Sequence, residues 1–302
     1  MQKITKISFP GLGIGEFGLN NEAFSIFGIG IAWYAIIITL GMVFAVCYTI
    51  YRAKQINIDY EEILDFAIFV IPIGVLGARL YYVLMELDSF NSFKEVFNIR
   101  NGGLAIYGGI IAGALTVFAV CKYKKINFFA FADCVVPGLI MAQSIGRWGN
   151  FVNVEAYGGL TKAPWRMCSS KIAWELLNNK RNPITAEQYE AVINGTLGAH
   201  PTFLYESLWN LIGFVLINIF YKHKKYDGQI FFIIFGWYGL GRAWIEGLRT
   251  DSLWFNLFGL QLRTSQVLAI IIFIVCAAFI IYFAIKPPKK ELYVRKNEKK
   301  KA

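Results

Sequence analysis

Charged side chains stand inside segments of this sequence that are otherwise apolar, and their spacing is the first sign of chemistry. Arg242, Glu246 and Arg249 follow i, i+4 and i+7 spacing, so a helix would carry all three on one face. Arg79 and Arg147 stand near the ends of two other apolar segments. Ionisable groups within a membrane are costly and usually functional, so these five residues are candidates for a site.

The four arginines are predicted to lie at one depth, near one face of a membrane. Arginine presents a planar fork of N–H donors that suits phosphate, and it stays charged at any working pH. Convergent arginines at headgroup depth therefore favour binding of an anionic phospholipid headgroup. The alternative is a set of structural ion pairs, for example between Arg242 and Glu246.

The densest run of glycine and polar residues extends from Gly146 to Gly158 and reads GRWGNFVNVEAYG. An apolar segment ends here in glycines and continues into Asn150, Asn153 and Glu155. Glycine lets the backbone approach a ligand closely, and amide side chains offer both donors and acceptors. The run predicts contacts to phosphate or ester oxygens; the alternative is a polar loop that ends a helix.

Seven apolar segments must position these side chains. The chain has 302 residues, 56% of them hydrophobic and 17% charged, whereas soluble domains carry about 25% charged residues. Each segment approaches the roughly 20 residues that a membrane-spanning helix needs. We therefore predict an all-α polytopic membrane protein with seven transmembrane helices. The predicted helices cover residues 24–50, 62–86, 103–121, 128–146, 202–221, 229–247 and 265–285.

Lysine and arginine cluster on the short loops of one predicted side and in residues 286–302. This placement follows the positive-inside rule, so the net charge of +10 is no sign of nucleic-acid binding. The opposite segments carry few basic residues, such as Lys3 and Arg100. The N-terminus is predicted to lie outside and the C-terminus in the cytoplasm. Residues 1–285 would form a single integral membrane domain with an extracytoplasmic insertion at 147–201, followed by a basic tail at 286–302.

Several local patterns favour structural roles. The five cysteines have no CxxC spacing, so neither a metal site nor a disulfide framework is predicted. Thr185 with Gln188 matches a capping box and predicts a short helix to about Ile193. Gly109 and Gly113 form a small-xxx-small pattern that allows close helix packing. The first 23 residues lack a charged start followed by an apolar core, so no cleavable signal peptide is expected.

These motifs resemble those of the prolipoprotein diacylglyceryl transferases. The run from Gly146 to Gly158 is similar to the signature motif of that family, and seven helices with an outer N-terminus agree with it. Further matches extend over nearly the whole chain. They are Trp33-Tyr34, Gly74–Arg79, Gly102–Gly109, Asp133, His200–Glu206 and Tyr238–Arg249.

The resemblance implies a reaction and a location. Members of this family transfer the diacylglyceryl group of phosphatidylglycerol to the lipobox cysteine thiol of a prolipoprotein, which forms a thioether and releases glycerol-1-phosphate. This is the first step of bacterial lipoprotein maturation. The resemblance implies a place in the bacterial cytoplasmic membrane, with the active site toward the extracytoplasmic side and the membrane domain as the catalytic domain. It implies no metal and no soluble cofactor.

The resemblance also implies roles for individual residues. Arg147 and Arg242 are the candidates for holding the phosphate, where their charge would stabilise the leaving group. The other candidates for binding the phosphatidylglycerol headgroup are Tyr34, Arg79, Asn150, Asn153, Glu155, Gly158, Glu246 and Arg249.

Tyr107 departs from the family pattern, because many members carry histidine at this position. Tyrosine has an ordinary pKa near 10, so Tyr107 is a poor base and is interpreted as a hydrogen-bonding or orienting residue in the catalytic site. His200, which precedes Pro201, is either a catalytic-site residue or part of helix-end packing. A third alternative needs no strong base, because nearby arginines would acidify the substrate thiol.

Three other functions are compatible with the charged residues alone: a transporter or channel, a non-catalytic scaffold that binds anionic lipid, and a different phospholipid-using transferase. A transporter normally shows corresponding halves and essential groups near the bilayer midplane. This sequence shows seven unequal segments without an internal repeat, and its charged residues stand near one end of their segments. The match to the family motif argues against all three.

Overall fold

The computed structural model describes residues 4–87, 90, 93–98, 102–257, 259–288 and 291–296, and this part of the chain is mostly helical. Its α-helices are α1 (Trp33–Ala53), α2 (Tyr60–Met85), α3 (Phe93–Phe97), α4 (Ile106–Tyr123), α5 (Phe128–Asn153), α6 (Ser170–Leu177), α7 (Ala186–Ile193), α8 (Thr202–Phe220), α9 (Gln229–Leu248) and α10 (Thr264–Ile285). Its strands are β1 (Ile4–Phe9), β2 (Ile14–Asn20), β3 (Glu22–Ile26), β4 (Ile29–Ala32), β5 (Leu160–Thr161), β6 (Gly198–Ala199), β7 (Trp254–Leu257) and β8 (Leu260–Arg263).

Each of the seven predicted apolar segments contains one long helix. Within the described residues, α1, α2, α4, α5, α8 and α10 are long and apolar enough to cross a membrane. The seventh, α9, has 20 residues, but Arg242 and Glu246 lower its mean hydropathy and it is not among these six. By helix length and composition, the chain is a multi-pass membrane protein with six candidate spans.

The predicted start of the first helix at residue 24 is wrong, because α1 begins at Trp33. Residues 22–32 form the antiparallel pair β3–β4 instead, with Ile26 opposite Ile29. The two turn residues, Phe27 and Gly28, have φ of 50° and 75°, as a two-residue hairpin of type I′ requires. The hairpin is as apolar as the helix that follows, so hydrophobicity alone did not separate them.

The fourth predicted helix was placed too short, because α5 continues from residue 146 to Asn153. Glycines usually weaken a helix, but Gly149 is needed here for packing: a Cβ would lie 2.6 Å from Cδ2 of Tyr34. The chain leaves the helix at Val154, where φ is 48°. Arg147, Asn150 and Asn153 therefore stand on the last two turns of a helix and not in a loop.

The prediction of an all-α fold is wrong for the described residues, which also contain four two-stranded antiparallel sheets. β1 pairs with β2, β3 with β4, β5 with β6 and β7 with β8. β1 is also joined to the predicted insertion, since Ser8 and Cys168 exchange backbone hydrogen bonds of 2.9 and 3.0 Å. The strands lie outside the long helices: β1 to β4 precede α1, and β5 to β8 lie in segments that connect later helices.

One helix of the predicted insertion was located correctly. Thr185 is the N-cap of α7, its side chain accepts from the backbone N–H of Gln188, and the Gln188 side chain accepts from the backbone N–H of Thr185. Both bonds of the predicted capping box are thus present and confirmed. The helix ends at Ile193, as the sequence predicted.

The chain divides into two compact units, and each is described by itself. The first unit comprises Met1–Ala45, Val136–Lys225 and Gln229–Lys289. One of its apolar clusters joins β1, the segments between α5 and α8, and the start of α8; its buried members are Ile7, Val154, Tyr157, Met167, Ile172, Leu176, Ala199 and Phe203. A second cluster joins α5, α8 and α9 through Val136, Ile140, Ile217, Tyr221, Ile230 and Ile234. The single domain predicted for 1–285 stays a prediction.

The second unit comprises Val46–Val135, Tyr226–Gly228 and Lys290–Ala302. Its apolar cluster includes Phe66 of α2 and Phe131 of α5, whose rings stack 4.2 Å apart. Arg295 of the predicted basic tail is paired with Glu62 at 2.5 Å. Tail residues 289–290 and 297–302, together with Lys3 and Arg100 of the predicted outer segments, lie outside the described residues.

Small residues bring α2 and α4 together within the second unit. A Cβ on Gly108 would collide with the carbonyl oxygen of Gly77, and a Cβ on Gly77 would lie 2.8 Å from the carbonyl oxygen of Gly108. Gly109, from the predicted small-xxx-small pattern, is in looser contact, since a Cβ there would lie 3.4 Å from the carbonyl oxygen of Gly74. The predicted packing role of Gly109 is confirmed, and the closest approach falls one residue earlier.

We expect Gly108→Ala to destabilise the protein by about 1–3 kcal/mol, because overpacking a close contact forces the helices apart. Gly109→Ala is the matched control and should cost clearly less, since its new Cβ would meet the Gly74 oxygen near ordinary contact distance. Thermal unfolding in detergent measures both. Equal effects of the two substitutions would contradict the packing described here.

Candidate active site

Arg147 and Arg242, the two arginines predicted to hold phosphate, meet at a glutamate on a third helix. Arg147 Nη2 on α5 lies 2.5 Å from Oε1 of Glu206 on α8. Arg242 Nη1 on α9 lies 3.1 Å from Oε2 of the same carboxylate. Arg242 Nη2 is also 2.5 Å from Oε2 of Glu246, one turn further along α9. We call these four residues the arginine–glutamate tetrad.

The arginines of the tetrad are its accessible members. The side chains of Arg147 and Arg242 are 22% and 13% exposed, whereas those of Glu206 and Glu246 are 4% and 2% exposed. The tetrad balances two positive and two negative charges, as buried ions require. A molecule that approaches from outside therefore meets guanidinium N–H donors first, with the carboxylates behind them.

The alternative of structural ion pairs, predicted between Arg242 and Glu246, is therefore present in the structure. This ion pairing does not use all the N–H donors of the arginines, because a guanidinium has five of them in a planar fork. Each arginine can hold a carboxylate on one side and an anion on the other. Ion pairing and headgroup binding are thus compatible at the same residues.

A pair of tryptophans fixes the distance between α8 and α9. Trp209 Nε1 donates to the carbonyl oxygen of Trp237, and Trp237 Nε1 donates to that of Trp209, both at 2.9 Å. The two rings stack with centroids 4.3 Å apart. Gly213 and Gly241 leave room for them, since a Cβ on either would collide with the opposite indole. This contact places Glu206 beside Arg242.

Polar contacts hold α5 and α10 to the same pair of helices. Ser144 Oγ donates to the carbonyl oxygen of Ser207 at 2.7 Å, and Ser207 Oγ donates to that of Ser144 at 2.9 Å. On the other side, Gln266 Nε2 donates to the carbonyl oxygen of Ala243 at 2.7 Å. Arg147 on α5 and Arg242 on α9 are thereby held at fixed positions around Glu206.

The amides of the signature run connect Arg147 to a second carboxylate. Asn150 Oδ1 accepts from Arg147 Nη1 at 3.2 Å, and Asn150 Nδ2 donates to Glu155 Oε1 at 2.8 Å. Asn153 Nδ2 lies 3.3 Å from the same Glu155 oxygen. The three predicted headgroup residues Asn150, Asn153 and Glu155 therefore lie together, in a network that orients Arg147.

Tyr34 and Gly158 border this network for different reasons. Tyr34, in the first turn of α1, packs its ring against Gly149 and is 38% exposed. Gly158 is a backbone junction, because its N–H donates to the carbonyl oxygen of His200 at 2.9 Å and its Cα faces the carbonyl oxygen of Leu248. The glycine is required where these three segments converge, since a Cβ would lie 2.8 Å from the Leu248 oxygen.

Arg249 stands just beyond the end of α9 and pairs with Asp251. Its Nε and Nη2 donate to the two carboxylate oxygens at 2.9 and 2.7 Å. Burial works to lower the pKa of Arg249, but the hydrogen bond and the charge of Asp251 outweigh it and raise that pKa. Burial works to raise the pKa of Asp251, and the bond from Arg249 reverses this and lowers it. Both groups therefore stay charged at neutral pH.

His200 is engaged with Tyr205 at the start of α8. Its Nδ1 lies 3.0 Å from the Tyr205 hydroxyl, which also accepts from Trp165 Nε1 at 2.6 Å. Burial lowers the pKa of His200 below its ordinary value of 6.5. The imidazole is therefore neutral at pH 7, and its Nδ1 is occupied by a contact that closes the start of the helix.

Comparison with known proteins decides the family. The model of the prolipoprotein diacylglyceryl transferase family matches residues 21–282. This chain belongs to that family. It is 40% identical to phosphatidylglycerol–prolipoprotein diacylglyceryl transferase 1 of Clostridium perfringens over 274 aligned residues. These residues cover 90% of this chain and 97% of that protein. Phosphatidylglycerol–prolipoprotein diacylglyceryl transferase of Enterococcus faecalis is 39% identical over 287 residues, 94% of this chain and 97% of that protein.

Two residues that the family resemblance implied for the site, Arg79 and Tyr107, belong to the second unit. Arg79 is 8% exposed and donates to four backbone carbonyl oxygens, those of Glu95, Val96, Gly102 and Gly103, at 2.6 to 3.1 Å. It thus fixes the segment between α2 and α4. Tyr107 is half-buried in the first turn of α4. Their part in the chemistry of this family member stays a prediction.

Glu206 was missed as a site residue, although the sequence places it in the run His200–Glu206. It lies 59 positions from Arg147 and 36 from Arg242, so its role depends on the packing of three helices. The available signal was a carboxylate inside an apolar segment, which is costly without a partner. The same reasoning that selected the arginines would have selected Glu206.

We expect Glu206→Gln to destabilise the protein by about 3 kcal/mol, because removing one member of a buried ion pair leaves the others uncompensated. Thermal unfolding in detergent measures the change. Glu190→Gln, on the exposed side of α7, is the control and should stay within about 0.5 kcal/mol of wild type. A Glu206→Gln protein as stable as the control would show that the tetrad does not hold the helices together.

Proposed function

We propose that this protein transfers the diacylglyceryl group of phosphatidylglycerol to the lipobox cysteine thiol of a prolipoprotein and releases glycerol-1-phosphate. The names of its relatives give phosphatidylglycerol and prolipoprotein as their substrates. The observation that carries the proposal here is the tetrad, whose two accessible arginines converge from different helices on one buried carboxylate. Such a pair fits a phosphate better than a neutral headgroup.

The transfer is a substitution at the glyceryl carbon that carries the phosphate. The cysteine sulfur forms a bond to this carbon, the carbon–oxygen bond to phosphate breaks, and its electron pair leaves with the phosphate oxygen. Arg147 and Arg242 would hold that phosphate and stabilise the charge that develops on it. Glu206 and Glu246 would hold both guanidinium groups in place before the lipid arrives, so that little reorganisation is needed.

The remaining predicted residues are proposed to complete the headgroup pocket. Asn150, Asn153 and Glu155 orient Arg147, and the amides of Asn150 and Asn153 can exchange partners with glycerol hydroxyls. Tyr34 is exposed beside them. Arg249 adds positive charge near the outer end of α9, where Asp251 keeps it in place. The proton of the thiol is proposed to pass to water before the sulfur attacks, because the nearby positive charge lowers the thiol pKa.

The proposed topology has seven crossings, with α9 as the sixth of them. Its 20 residues span about 30 Å, the thickness of the hydrocarbon core. α9 packs along α10, where Gly239 lies close to the carbonyl oxygen of Ala269. Its two charges are paired with each other and with Glu206, which reduces the cost of placing them in a membrane.

From seven crossings and the positive-inside rule, the N-terminus is proposed to lie outside, the C-terminus inside and the tetrad toward the extracytoplasmic face of the bacterial cytoplasmic membrane. The insertion would then lie outside. Residues 1–285 would act as one catalytic domain, with 286–302 as a cytoplasmic basic tail.

The activity is tested by release of glycerol-1-phosphate from phosphatidylglycerol by purified protein with a lipobox-cysteine peptide. We expect release that disappears when the peptide cysteine is replaced by alanine. Arg147→Lys and Arg242→Lys should each lower turnover about 100-fold or more, because lysine keeps the charge but loses the bidentate fork. Arg181→Lys, on the exposed surface, is the control and should keep turnover.

Two results would contradict the proposal. Folded protein that binds phosphatidylglycerol without releasing product would favour a lipid-binding scaffold. Lysine variants as active as the control would remove the two arginines from the phosphate site.

His200→Gln tests whether His200 is the base. A glutamine amide can keep the contact with Tyr205 but cannot accept the thiol proton at neutral pH. Because the structure engages His200 in helix-end packing, we expect turnover within about tenfold of wild type. A general base contributes about 100-fold to 10,000-fold. A loss of that size, in protein that unfolds at the wild-type temperature, would assign the base to His200.

A further inference from the structure

Asn210 is a fully buried amide next to the tetrad. It stands on α8 one turn beyond Glu206, and its exposed fraction is 0%. Neither Oδ1 nor Nδ2 has a hydrogen-bond partner among the described residues. The residue therefore bears the full cost of removing an amide from water.

The neighbouring polar groups of α8 are satisfied, which sets Asn210 apart. Ser207 exchanges hydrogen bonds with Ser144, and Trp209 exchanges them with Trp237. Asn218, two turns further along the helix, donates to the carbonyl oxygen of Phe214 at 2.7 Å. The helix thus supplies partners to its other buried or half-buried polar side chains, so an unpaired amide at Asn210 points to a partner that it acquires in another state.

Glu206 is the carboxylate one turn before Asn210 on the same helix. The two residues are four positions apart on the buried face of α8, and side chains at i and i+4 of a helix can form a hydrogen bond. In this structure both oxygens of Glu206 are occupied: Oε1 accepts from Arg147 and Oε2 from Arg242. Each oxygen has a further lone pair, but no hydrogen bond joins Asn210 to Glu206 while the arginines hold the carboxylate.

An anionic phosphate on the accessible side of the arginines changes that balance. It shares the guanidinium charge of Arg147 and Arg242 with Glu206, which weakens the hydrogen bonds to the carboxylate without breaking them, and a carboxylate that is 4% exposed cannot turn to water instead. Buried carboxylates need hydrogen-bond donors. The Nδ2–H group of Asn210 can supply one.

We propose that Asn210 is a positioning residue that donates a hydrogen bond to Glu206 when the phosphate of an anionic lipid binds Arg147 and Arg242. The proposal rests on the phosphate site of the proposed function. Asn210 does not touch the lipid; it stabilises the Glu206 carboxylate, whose hydrogen bonds from the arginines are weakened when the arginines also hold a phosphate. It is unpaired without lipid and paired with it, so it favours the lipid-bound state.

The test uses Asn210→Leu, which keeps the size of the side chain and removes its hydrogen-bonding groups. Thermal unfolding is measured in micelles of an uncharged maltoside detergent alone, with added phosphatidylglycerol, and with added inorganic phosphate. Without anionic lipid, Asn210→Leu should unfold at or above the wild-type temperature, because it removes an unpaired amide. It should lose at least half of the upward shift that phosphatidylglycerol gives to wild type.

Asn218→Leu is the matched control on the same helix. It loses a hydrogen bond that is present without lipid, so it should unfold at a lower temperature and keep the full shift by phosphatidylglycerol. In the turnover assay, Asn210→Leu should raise the KM for phosphatidylglycerol about tenfold, the effect of one hydrogen bond to a charged group, with a smaller change in kcat. A shift of equal size with inorganic phosphate alone would overturn the assignment to a lipid.

Other outcomes also decide the proposal. An Asn210→Leu protein that unfolds at a lower temperature in the detergent alone and keeps the full lipid shift would show a structural amide and overturn the proposal, as would a protein unchanged in both measurements. If Asn210→Leu fails to fold, Asn210→Ala also lacks the N–H donor and should lose the same shift. A wild-type protein that shows the lipid shift but releases no product contradicts the proposed function alone. A wild-type protein that turns over without any shift overturns the role of Asn210 alone.

Discussion

The carboxylate of Glu206 is the constraint on which the rest of the site depends. A single buried anion holds Arg147 of α5 and Arg242 of α9, so three helices must meet at the same height for either arginine to be satisfied. Charges in this environment are tolerated only when they are paired. The buried carboxylates are neutralised by the two arginines, whose guanidinium groups form the accessible side of the tetrad. An anion-binding surface therefore follows from this pairing.

The contacts between helices serve this geometry. In a membrane, apolar side chains gain little by leaving lipid, so helices associate through close packing and interhelical hydrogen bonds. The reciprocal tryptophan bonds between α8 and α9 and the serine pair between α5 and α8 are contacts of this kind. Gly213 and Gly241 are as necessary as the indoles they admit. A site built on such contacts is rigid before its substrate arrives.

Features that depend on residues close in sequence were predictable, and features that depend on contacts between distant residues were not. The α7 helix was located to the residue because Thr185 and Gln188 form its cap by themselves. The apolar hairpin before Trp33 and the extension of α5 past residue 146 were missed, since hydropathy and glycine content do not reveal strand pairing or packing against Tyr34. The arginines were predicted as site residues because a charged side chain within a membrane is costly. Glu206 acquires its role only when α5, α8 and α9 are assembled.

The central claim is that Arg147 and Arg242 contact the phosphate of phosphatidylglycerol. Solid-state NMR of the protein in phosphatidylglycerol membranes, with 15N-labelled arginine, measures dipolar coupling between guanidinium nitrogen and lipid 31P. We predict coupling at hydrogen-bonding distance that falls when either arginine is replaced by lysine and is unchanged in Arg181→Lys. Coupling that survives both lysine substitutions, or that is absent from a folded and active wild-type protein, would contradict the account.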